Sequence, residues 1–417
     1  MNGINLTKLP NGLTVLSENI PYIKSFSLGF WLNKGSRDES PDNNGITHLL
    51  EHMLFKGTPT RSAKKISEEI ELYGGYINAF TSKEHTCFYV RGLDKHFGRS
   101  FKVLADMLQN PLFKEKDIKN EISVILDEMA DGEDNPDELI FDMFEEQLHR
   151  DSKLAFPVIG NEKNVKSISQ EVLKDFHSKN FIPENLLVCA SGNINHDDLL
   201  KLVEKYFKLE QKSKIEQVLT PLPKIEEKFV LQKDFGQIYC ITGTKAPGIL
   251  SNKRLELNIL SLILGDGSAS RLYQEVREKL GISYQINSFI NFYSEVSSFG
   301  IYFSTGSEKN TVKVLKVIDN EFKKLKIKEV TPKELQRAKE LLKANIILSL
   351  ESATNRMIRL ANLMLNYNRV VPVEEVTAKI DAIQPDQIQV LANEVLNQEN
   401  FIKVFIKPNS KVIITAA

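Results

Sequence analysis

The residues His48-Leu49-Leu50-Glu51-His52 form the most specific chemical pattern in the chain. An α-helix turns about 100° per residue, so His52 lies about 40° around the axis from His48, and Glu51 about 60° on the other side. Two imidazoles at i and i+4 are a common pair of zinc ligands. A carboxylate beside them can take a proton from water. The pattern therefore predicts a metal site with its own general base.

The alternative is a surface helix that exposes two histidines. Apolar residues surround the motif, namely Ile46, Leu49, Leu50, Met53, Leu54 and Phe55. A surface helix is not apolar all round, so these neighbours favour a buried helix with a functional polar edge. Two histidines do not complete a catalytic zinc site, because a third protein ligand is needed and one position stays open for water.

The predicted helix NEISVILDEMA, residues 120–130, offers two candidates for the third ligand. Glu121 and Glu128 lie seven positions apart, so their directions differ by only about 20°. They share a stripe with Ile118 and Ile125, where two buried and unpaired carboxylates would be costly. A metal and its surrounding ligands would relieve that cost. The alternative is a stripe that faces a partly hydrated groove.

A larger α+β fold must position these residues. The same order of predicted strands and helices occurs twice along the chain. In each half, two predicted strands precede two helices, a long β-rich run and a second pair of helices. This order predicts an internal duplication into two homologous α/β-sandwich-like domains rather than a parallel doubly wound sheet. The predicted boundaries are 1–207 for the zinc-binding domain and 229–417 for the second domain. A linker containing Lys, Glu and Pro joins them at 208–228.

The HxxEH pattern is the inverted form of the HExxH zinc-protease motif. With a glutamate 76 positions after its second histidine, it resembles the signature of the pitrilysin/insulinase zinc peptidases. Similarity is strongest to the mitochondrial-processing-peptidase-like branch and extends through KGSRDE, GGYINAFTSKEHTCFY and SRLYQEVREKLGISY. The resemblance implies the processing-peptidase-like metallohydrolase fold, with His48, His52 and Glu128 binding one Zn²⁺ per chain. It also implies Glu51 as general base and Glu121 as a further catalytic glutamate.

The resemblance assigns other residues to the substrate. The segment NAFTSKEHT resembles the family's active-site edge strand, which implies peptide contacts at Asn78, Ala79 and Phe80 through β-augmentation. An ordinary edge strand is the alternative. Arg277 and Tyr284 match an arginine and a tyrosine that relatives place near the carbonyl under attack, where both could stabilise an oxyanion. The alternative is a surface arginine and a half-buried tyrosine.

The segment DELIFDMFEEQLH places Glu138 and Asp142 at i and i+4, on one helix face. They match two acidic positions by which processing peptidases recognise an arginine near the cleavage site. Carboxylates bind guanidinium through charge-assisted hydrogen bonds. The alternative is a solvent-facing acidic helix that includes Glu145 and Glu146.

The composition of the chain argues against several classes of protein and of binding partner. The chain is 41% hydrophobic and 26% charged with a net charge of −1, which argues against disorder, nucleic-acid binding and membrane-surface binding. No apolar run approaches the roughly 20 residues of a membrane span, and no signal-peptide pattern is present. Three cysteines without a CxxC pair favour a reducing compartment. We therefore expect a cytoplasmic protein, with no organic cofactor because nucleotide-binding motifs are missing.

These patterns together predict a zinc-dependent endopeptidase that cleaves extended peptides or unfolded segments, with basic residues preferred near the cleavage site. Two alternatives share the fold, namely a non-catalytic assembly subunit and the catalytic half of a heterodimer. The complete ligand set and the presence of both Arg277 and Tyr284 favour a self-sufficient enzyme. Longer relatives carry four such domains in one chain, so the resemblance implies a homodimer that encloses a chamber.

Overall fold

The computed structural model describes residues 3–209 and 225–409. The strands are β1 Ile4–Lys8, β2 Thr14–Asn19, β3 Ser25–Leu32, β4 Tyr76–Thr81, β5 Thr86–Leu93, β6 Leu186–Gly192, β7 Val230–Gln232, β8 Ile238–Pro247, β9 Ile286–Phe292, β10 Val296–Thr305 and β11 Ile402–Lys407. The helices are α1 Ile46–Leu54, α2 Ala63–Glu71, α3 Phe97–Gln109, α4 Glu115–Asp134, α5 Pro136–Leu148, α6 Glu162–Ser167, α7 Gln170–Asn180, α8 His196–Tyr206, α9 Arg254–Leu264, α10 Glu308–Ile327, α11 Pro332–Ser349, α12 Ala353–Tyr367, α13 Val373–Ala382 and α14 Pro385–Val395. A π-helix, Tyr273–Lys279, follows α9. Within the described ranges, no helix is both long and apolar enough to cross a bilayer.

The described residues fall into two compact units. Unit 1 takes its residues from Met1–Ala130, Asp151–Pro223 and Ser349–Val370. Unit 2 takes its residues from Asp131–Arg150, Lys224–Leu348 and Val371–Ala417. Each unit thus contains one helix from the other half of the sequence, since α12 belongs to unit 1 and α5 to unit 2. Most of the predicted linker at 208–228 falls on residues 210–224, outside the described residues, and stays a prediction.

The two sheets repeat one plan. The strand order is β1-β2-β6-β3-β5-β4 in unit 1 and β7-β11-β8-β10-β9 in unit 2. Beyond β1, every strand in the first sheet has a counterpart in the second, and the parallel pair β2/β6 corresponds to the parallel pair β7/β11. The neighbouring pairs are antiparallel in both sheets. The predicted α+β class and internal duplication are confirmed.

Strand β3 divides the core of unit 1, because successive side chains on a strand point to opposite faces. Phe30 packs against Phe101 of α3, with ring centroids 5.3 Å apart. The next residue, Trp31, faces the other way and donates from Nε1 to Met357 Sδ of α12 at 3.3 Å. Both faces of this sheet are therefore covered, and α1 packs its apolar face into the same core as Phe30.

Helix α5 packs into unit 2 in the same manner as α12 packs into unit 1. Ile140 and Phe144 of α5 share a buried cluster with Val404 and Ile406 of β11. A Cβ at Gly243 of β8 would lie 2.5 Å from Phe144 Cζ, so this strand position has room only for glycine. Close packing therefore fixes α5 on the second sheet.

Candidate metal centre and peptide site

Helix α1 begins at a buried carboxylate that lies outside the helix. Gly45 precedes the helix with φ of 100° and has no side chain with which to cap it. Glu39, which is 1% exposed, accepts hydrogen bonds from the N–H groups of Gly45 and Thr47, each at 2.8 Å. The Asn44 amide donates to the same carboxylate at 2.7 Å. Glu39 thus fixes the turn that immediately precedes the first histidine of the motif.

The three predicted metal ligands converge in unit 1. The imidazole rings of His48 and His52 lie 4.7 Å apart between centroids. Their Nε2 atoms lie 4.0 and 3.7 Å from Glu128 Oε2, which reaches them from α4. One ligand atom from each residue lies within 4.8 Å of the others. The side chain of Glu128 is 43% exposed, whereas both histidines are mostly buried, so one side of the cluster faces solvent.

Glu121 lies behind the second histidine. Its Oε2 is 3.1 Å from His52 Nδ1, and its Oε1 is 2.6 Å from Lys56 Nζ. The helix stripe predicts burial of both glutamates, but only Glu121 is buried, and it is paired with two partners. Glu128 is exposed because it lies nearly two turns further along α4, beyond Ile125, the last buried residue of that helix.

Glu51 and His48 have shifted pKa values. Burial raises the pKa of Glu51, and a hydrogen bond from Thr81 Oγ1 partly opposes that rise. A carboxyl group with a raised pKa is better matched to proton transfer near neutral pH. Burial, with a smaller effect of the neighbouring His52, lowers the pKa of His48 to about 4. His48 is therefore neutral, which is the protonation state that binds metals.

The donor set fits zinc. Two imidazole nitrogens and one carboxylate oxygen match the ligands of catalytic zinc sites, whereas magnesium and calcium prefer oxygen ligands alone. Among the described residues, His48 Nδ1 is buried without a hydrogen-bond partner, so Nε2 is the nitrogen of His48 that faces the cluster. Three protein ligands leave a coordination position for water or substrate.

Strand β4 is the edge of the unit 1 sheet, where it pairs with β5. Asn78, Ala79 and Phe80 lie in sequence along it. The Ala79 N–H donates to Asn78 Oδ1 at 2.9 Å, and the Phe80 ring packs edge-on against Trp31 at 5.5 Å. The next residue, Thr81, is the hydrogen-bond partner of the candidate base. The predicted edge strand is confirmed, and its contact with substrate stays a prediction.

Two family models match the chain in tandem. The model for insulinase, peptidase family M16, matches residues 14–162, and the model for the peptidase M16 inactive domain matches residues 167–342. An uncharacterized zinc protease of Rickettsia felis is 35% identical over 394 residues, covering 94% of this chain and 95% of that protein. This chain belongs to the insulinase family, peptidase family M16.

Two further proteins are similar to this chain over nearly its whole length. An uncharacterized zinc protease of Bacillus subtilis is 33% identical over 406 residues, covering 96% of this chain and 98% of that protein. The crystal structure of a protease from Helicobacter pylori is similar with a TM-score of 0.88 at 23% identity, covering 98% of this chain and 100% of that one. The similarity to the Helicobacter pylori structure supports the fold of this chain. All residues of the candidate metal centre lie in the part matched by the insulinase model.

The inactive-domain model of M16 covers Arg277 and Tyr284, which lie in unit 2. Arg277 is on the π-helix, and its guanidinium carbon lies 4.7 Å from the centroid of the Tyr284 ring. Tyr284 is 77% exposed. Both residues line a cavity of about 410 Å³ with Asp137 and Tyr302. The structure thus brings the predicted pair together, and its role in the reaction stays a prediction.

Glu138 and Asp142 of this M16 chain are both exposed on α5. Glu138 accepts a hydrogen bond at 2.8 Å from the residue that caps the start of α5. The alternative of a continuous solvent-facing acidic surface is wrong for Glu145. That carboxylate is 5% exposed and accepts hydrogen bonds from Asn291 at 2.8 Å and from Tyr293 at 2.9 Å. Glu145 therefore anchors α5 on the sheet of unit 2.

Three residues that contact the candidate metal centre or its helix were not predicted from the sequence, namely Glu39, Lys56 and Thr81. Two of them had a signal in the sequence. Lys56 is four residues after His52 and so continues the polar edge of the helix. Thr81 directly follows the proposed substrate strand. Glu39 ends the segment KGSRDE, but its contact with α1 depends on how the loop folds back, which spacing does not indicate.

Proposed function

We propose that this chain is a zinc-dependent endopeptidase that cleaves extended peptides or unfolded segments. One observation carries the proposal, which is the convergence of His48, His52 and Glu128 beside the carboxylate of Glu51. The M16 family and its zinc-protease relatives support peptidase chemistry in general. The choice of ligands, the number of metal ions and the substrate belong to the proposal.

In this proposal His48, His52 and Glu128 hold one zinc ion per chain. When bound by these residues, zinc would act as a Lewis acid at the scissile carbonyl and would lower the pKa of water. Glu51 takes a proton from the attacking water and later passes it to the leaving amine, as a general base and then a general acid. Thr81 orients Glu51 through its hydrogen bond. We propose that Arg277 and Tyr284, of the same chain or of a partner copy, donate hydrogen bonds to the developing oxyanion.

The peptide is proposed to bind as an added strand along β4. An exposed edge strand offers main-chain donors and acceptors that pair with almost any extended sequence. Such binding selects unfolded segments over folded proteins, because the segment must be free to extend. Glu138 and Asp142 are proposed to favour a basic residue near the scissile bond, since both carboxylates are exposed on one face of α5.

The test compares wild-type protein with Glu51→Gln on a peptide library, with zinc content measured on the same samples. Wild-type protein should cleave, lose activity with a chelator and regain it with zinc. Glu51→Gln should retain zinc and lose at least about 100-fold in turnover, because the metal ligands stay while the base is lost. Glu68→Gln, an exposed residue of α2, is the matched control and should cleave normally.

Three outcomes would contradict parts of the proposal. Near-wild-type turnover by Glu51→Gln would remove Glu51 from its role as base. Zinc-loaded wild-type protein that cleaves no peptide would instead favour a non-catalytic assembly subunit or an enzyme that needs a second, different chain. A library without preference for basic residues would remove Glu138 and Asp142 from the substrate site.

We also propose a cytoplasmic homodimer whose two chains enclose a chamber that admits peptides. The three cysteines are buried free thiols, which supports a reducing compartment. Mixing Glu51→Gln chains with Arg277→Ala chains tests the pairing, because each variant alone lacks one half of the proposed machinery. Recovery of activity would mean that Arg277 serves a partner chain. A monomeric mass at micromolar concentration together with full activity would overturn the dimer.

A further inference from the structure

Lys56 links solvent to the metal centre through one intervening side chain. Its Nζ lies 2.6 Å from Glu121 Oε1, and the other oxygen of that carboxylate lies 3.1 Å from His52 Nδ1. The side chain of Lys56 is 33% exposed, whereas that of Glu121 is 8% exposed. The positive charge therefore contacts a carboxylate that is almost removed from water.

The charge of Lys56 makes this arrangement energetically favourable. A buried carboxylate without a compensating charge is costly, and loss of one partner from a buried pair leaves the other charge unsatisfied. A carboxylate accepts hydrogen bonds only, so contact with Glu121 requires His52 to carry its proton on Nδ1. This tautomer leaves His52 Nε2 with a free lone pair, and Nε2 is the atom that faces Glu128 at 3.7 Å.

The second imidazole has no equivalent support. Within the part of the chain that the structure describes, His48 Nδ1 is buried and lacks a hydrogen-bond partner. The orientation of the histidine pair by hydrogen bonds thus depends on the contact between His52 and Glu121. A change at Lys56 should affect both the ring orientation and the tautomer of His52.

We infer that Lys56 is a positioning residue for the metal centre. It acts through Glu121 to hold His52 in the tautomer that can bind a metal with Nε2. The inference rests on the ligand set in the proposed function, but the tautomer itself is a property of the metal-free protein. Lys56 touches neither metal nor substrate in this role.

The first measurement is the tautomer of His52 in metal-free protein, by NMR of ¹⁵N-labelled histidine side chains, with the His52 signal assigned from a His52→Gln sample. Wild-type protein should show the proton on Nδ1. Lys56→Met should lower the fraction of the Nδ1–H form, because the Glu121 carboxylate is then no longer held between Lys56 and His52 and can turn away from the ring. Lys56→Arg should retain the wild-type signal because it keeps the charge. Lys64→Met, which removes an exposed lysine of α2, is the matched control and should leave the signal unchanged.

The second measurement is zinc affinity by competition with a chelator. Lys56→Met should weaken zinc binding about 10-fold, at the lower end of the cost of losing an outer partner of a metal ligand. Glu121→Gln should weaken it at least as much. The double variant should bind no more weakly than Glu121→Gln alone, because Lys56 acts through that carboxylate. Lys56→Gln is the substitute if the methionine variant fails to fold.

The outcomes separate this inference from the proposed function. An unchanged His52 tautomer in Lys56→Met would overturn the inference, whether or not the protein binds zinc. Additive losses of affinity in the double variant would also overturn it, because Lys56 would then act by a route other than Glu121. A wild-type protein that binds no zinc would refute the proposed function, and the NMR result would still decide the role of Lys56.

Discussion

Replacing Glu39 by Gln should remove about 3 kcal/mol of pH dependence from the stability of unit 1. Glu39 is the buried carboxyl group at the start of α1, where it accepts hydrogen bonds from the backbone N–H groups of Gly45 and Thr47. Burial raises its pKa from the ordinary value of 4.5 to about 7, although these hydrogen bonds favour the charged form and limit the rise. Glutamine has nearly the same shape but does not titrate.

The sign follows from proton binding. Between pH 4.5 and about 7, the folded protein holds the proton on Glu39 while the unfolded chain releases it. The residue therefore contributes its full stabilisation below pH 4.5, and this contribution falls as the pH rises to about 7. The difference between the two pKa values corresponds to about 3 kcal/mol, at 1.36 kcal/mol for each pH unit.

Trp31 provides the assay, because it is the single tryptophan and is fully buried in unit 1. Urea unfolding of metal-free protein, followed by Trp31 fluorescence, gives the free energy of unfolding at several pH values between 4 and 8. The difference between wild-type protein and Glu39→Gln cancels the titration of all other groups. Glu68→Gln, exposed on α2, controls for the loss of any carboxyl group.

A pH-independent difference between wild-type protein and Glu39→Gln would refute the reasoning. It would mean that Glu39 titrates in the folded protein as it does in the unfolded chain. A difference that changes in the opposite direction would mean that the backbone hydrogen bonds outweigh the cost of burial. Either result would remove desolvation as the dominant effect on this carboxyl group.

Three further substitutions test other parts of the structure. Glu128→Gln should weaken zinc binding by more than the roughly 10- to 100-fold cost of losing a residue that only hydrogen-bonds to a metal ligand. Competition with a chelator measures the affinity, and an unchanged value would remove Glu128 from the ligand set. Gly45→Ala should destabilise unit 1 by about 2 kcal/mol or more in urea unfolding, because alanine would have to adopt a positive φ and its Cβ would lie 2.8 Å from Val165 Cγ2. An unchanged unfolding midpoint would contradict this packing. Glu145→Gln should lower the free energy of unfolding of unit 2 by about 2 kcal/mol, because the buried oxygens of Glu145 accept hydrogen bonds from Asn291, Tyr293 and Ser298. Hydrogen exchange in α5 should become faster, and unchanged protection would contradict the anchoring role of Glu145.

Helix geometry explains why much of the candidate metal centre was predictable. The spacing of His48, Glu51 and His52 determines their common face once the segment is helical, and α1 covers Ile46–Leu54. The same rule places Glu121 and Glu128 on one side of α4, but it does not indicate where the neighbouring layer ends. The sequence therefore does not predict that Glu121 is buried while Glu128 is exposed, and only the structure shows this difference.

Contacts between distant segments were the unpredictable part. The contact between Glu39 and α1 and that between Thr81 and Glu51 depend on loop and strand positions that no short-range pattern specifies. The same limit applies to the helices. Apolar periodicity indicates that α12 packs against other elements, but not that it packs on the sheet whose strands all come from the first half of the chain.

The placement of α12 has a consequence for biosynthesis. The ribosome completes β6, the last-made strand of the unit 1 sheet, about 160 residues before it reaches α12. At roughly 5–20 residues per second, this interval lasts about 8–30 s. During that time the newly made strands present Leu16, Trp31 and Leu187 without the helix that later covers them. The nascent chain thus exposes, until α12 is made, an apolar surface of the kind that promotes aggregation.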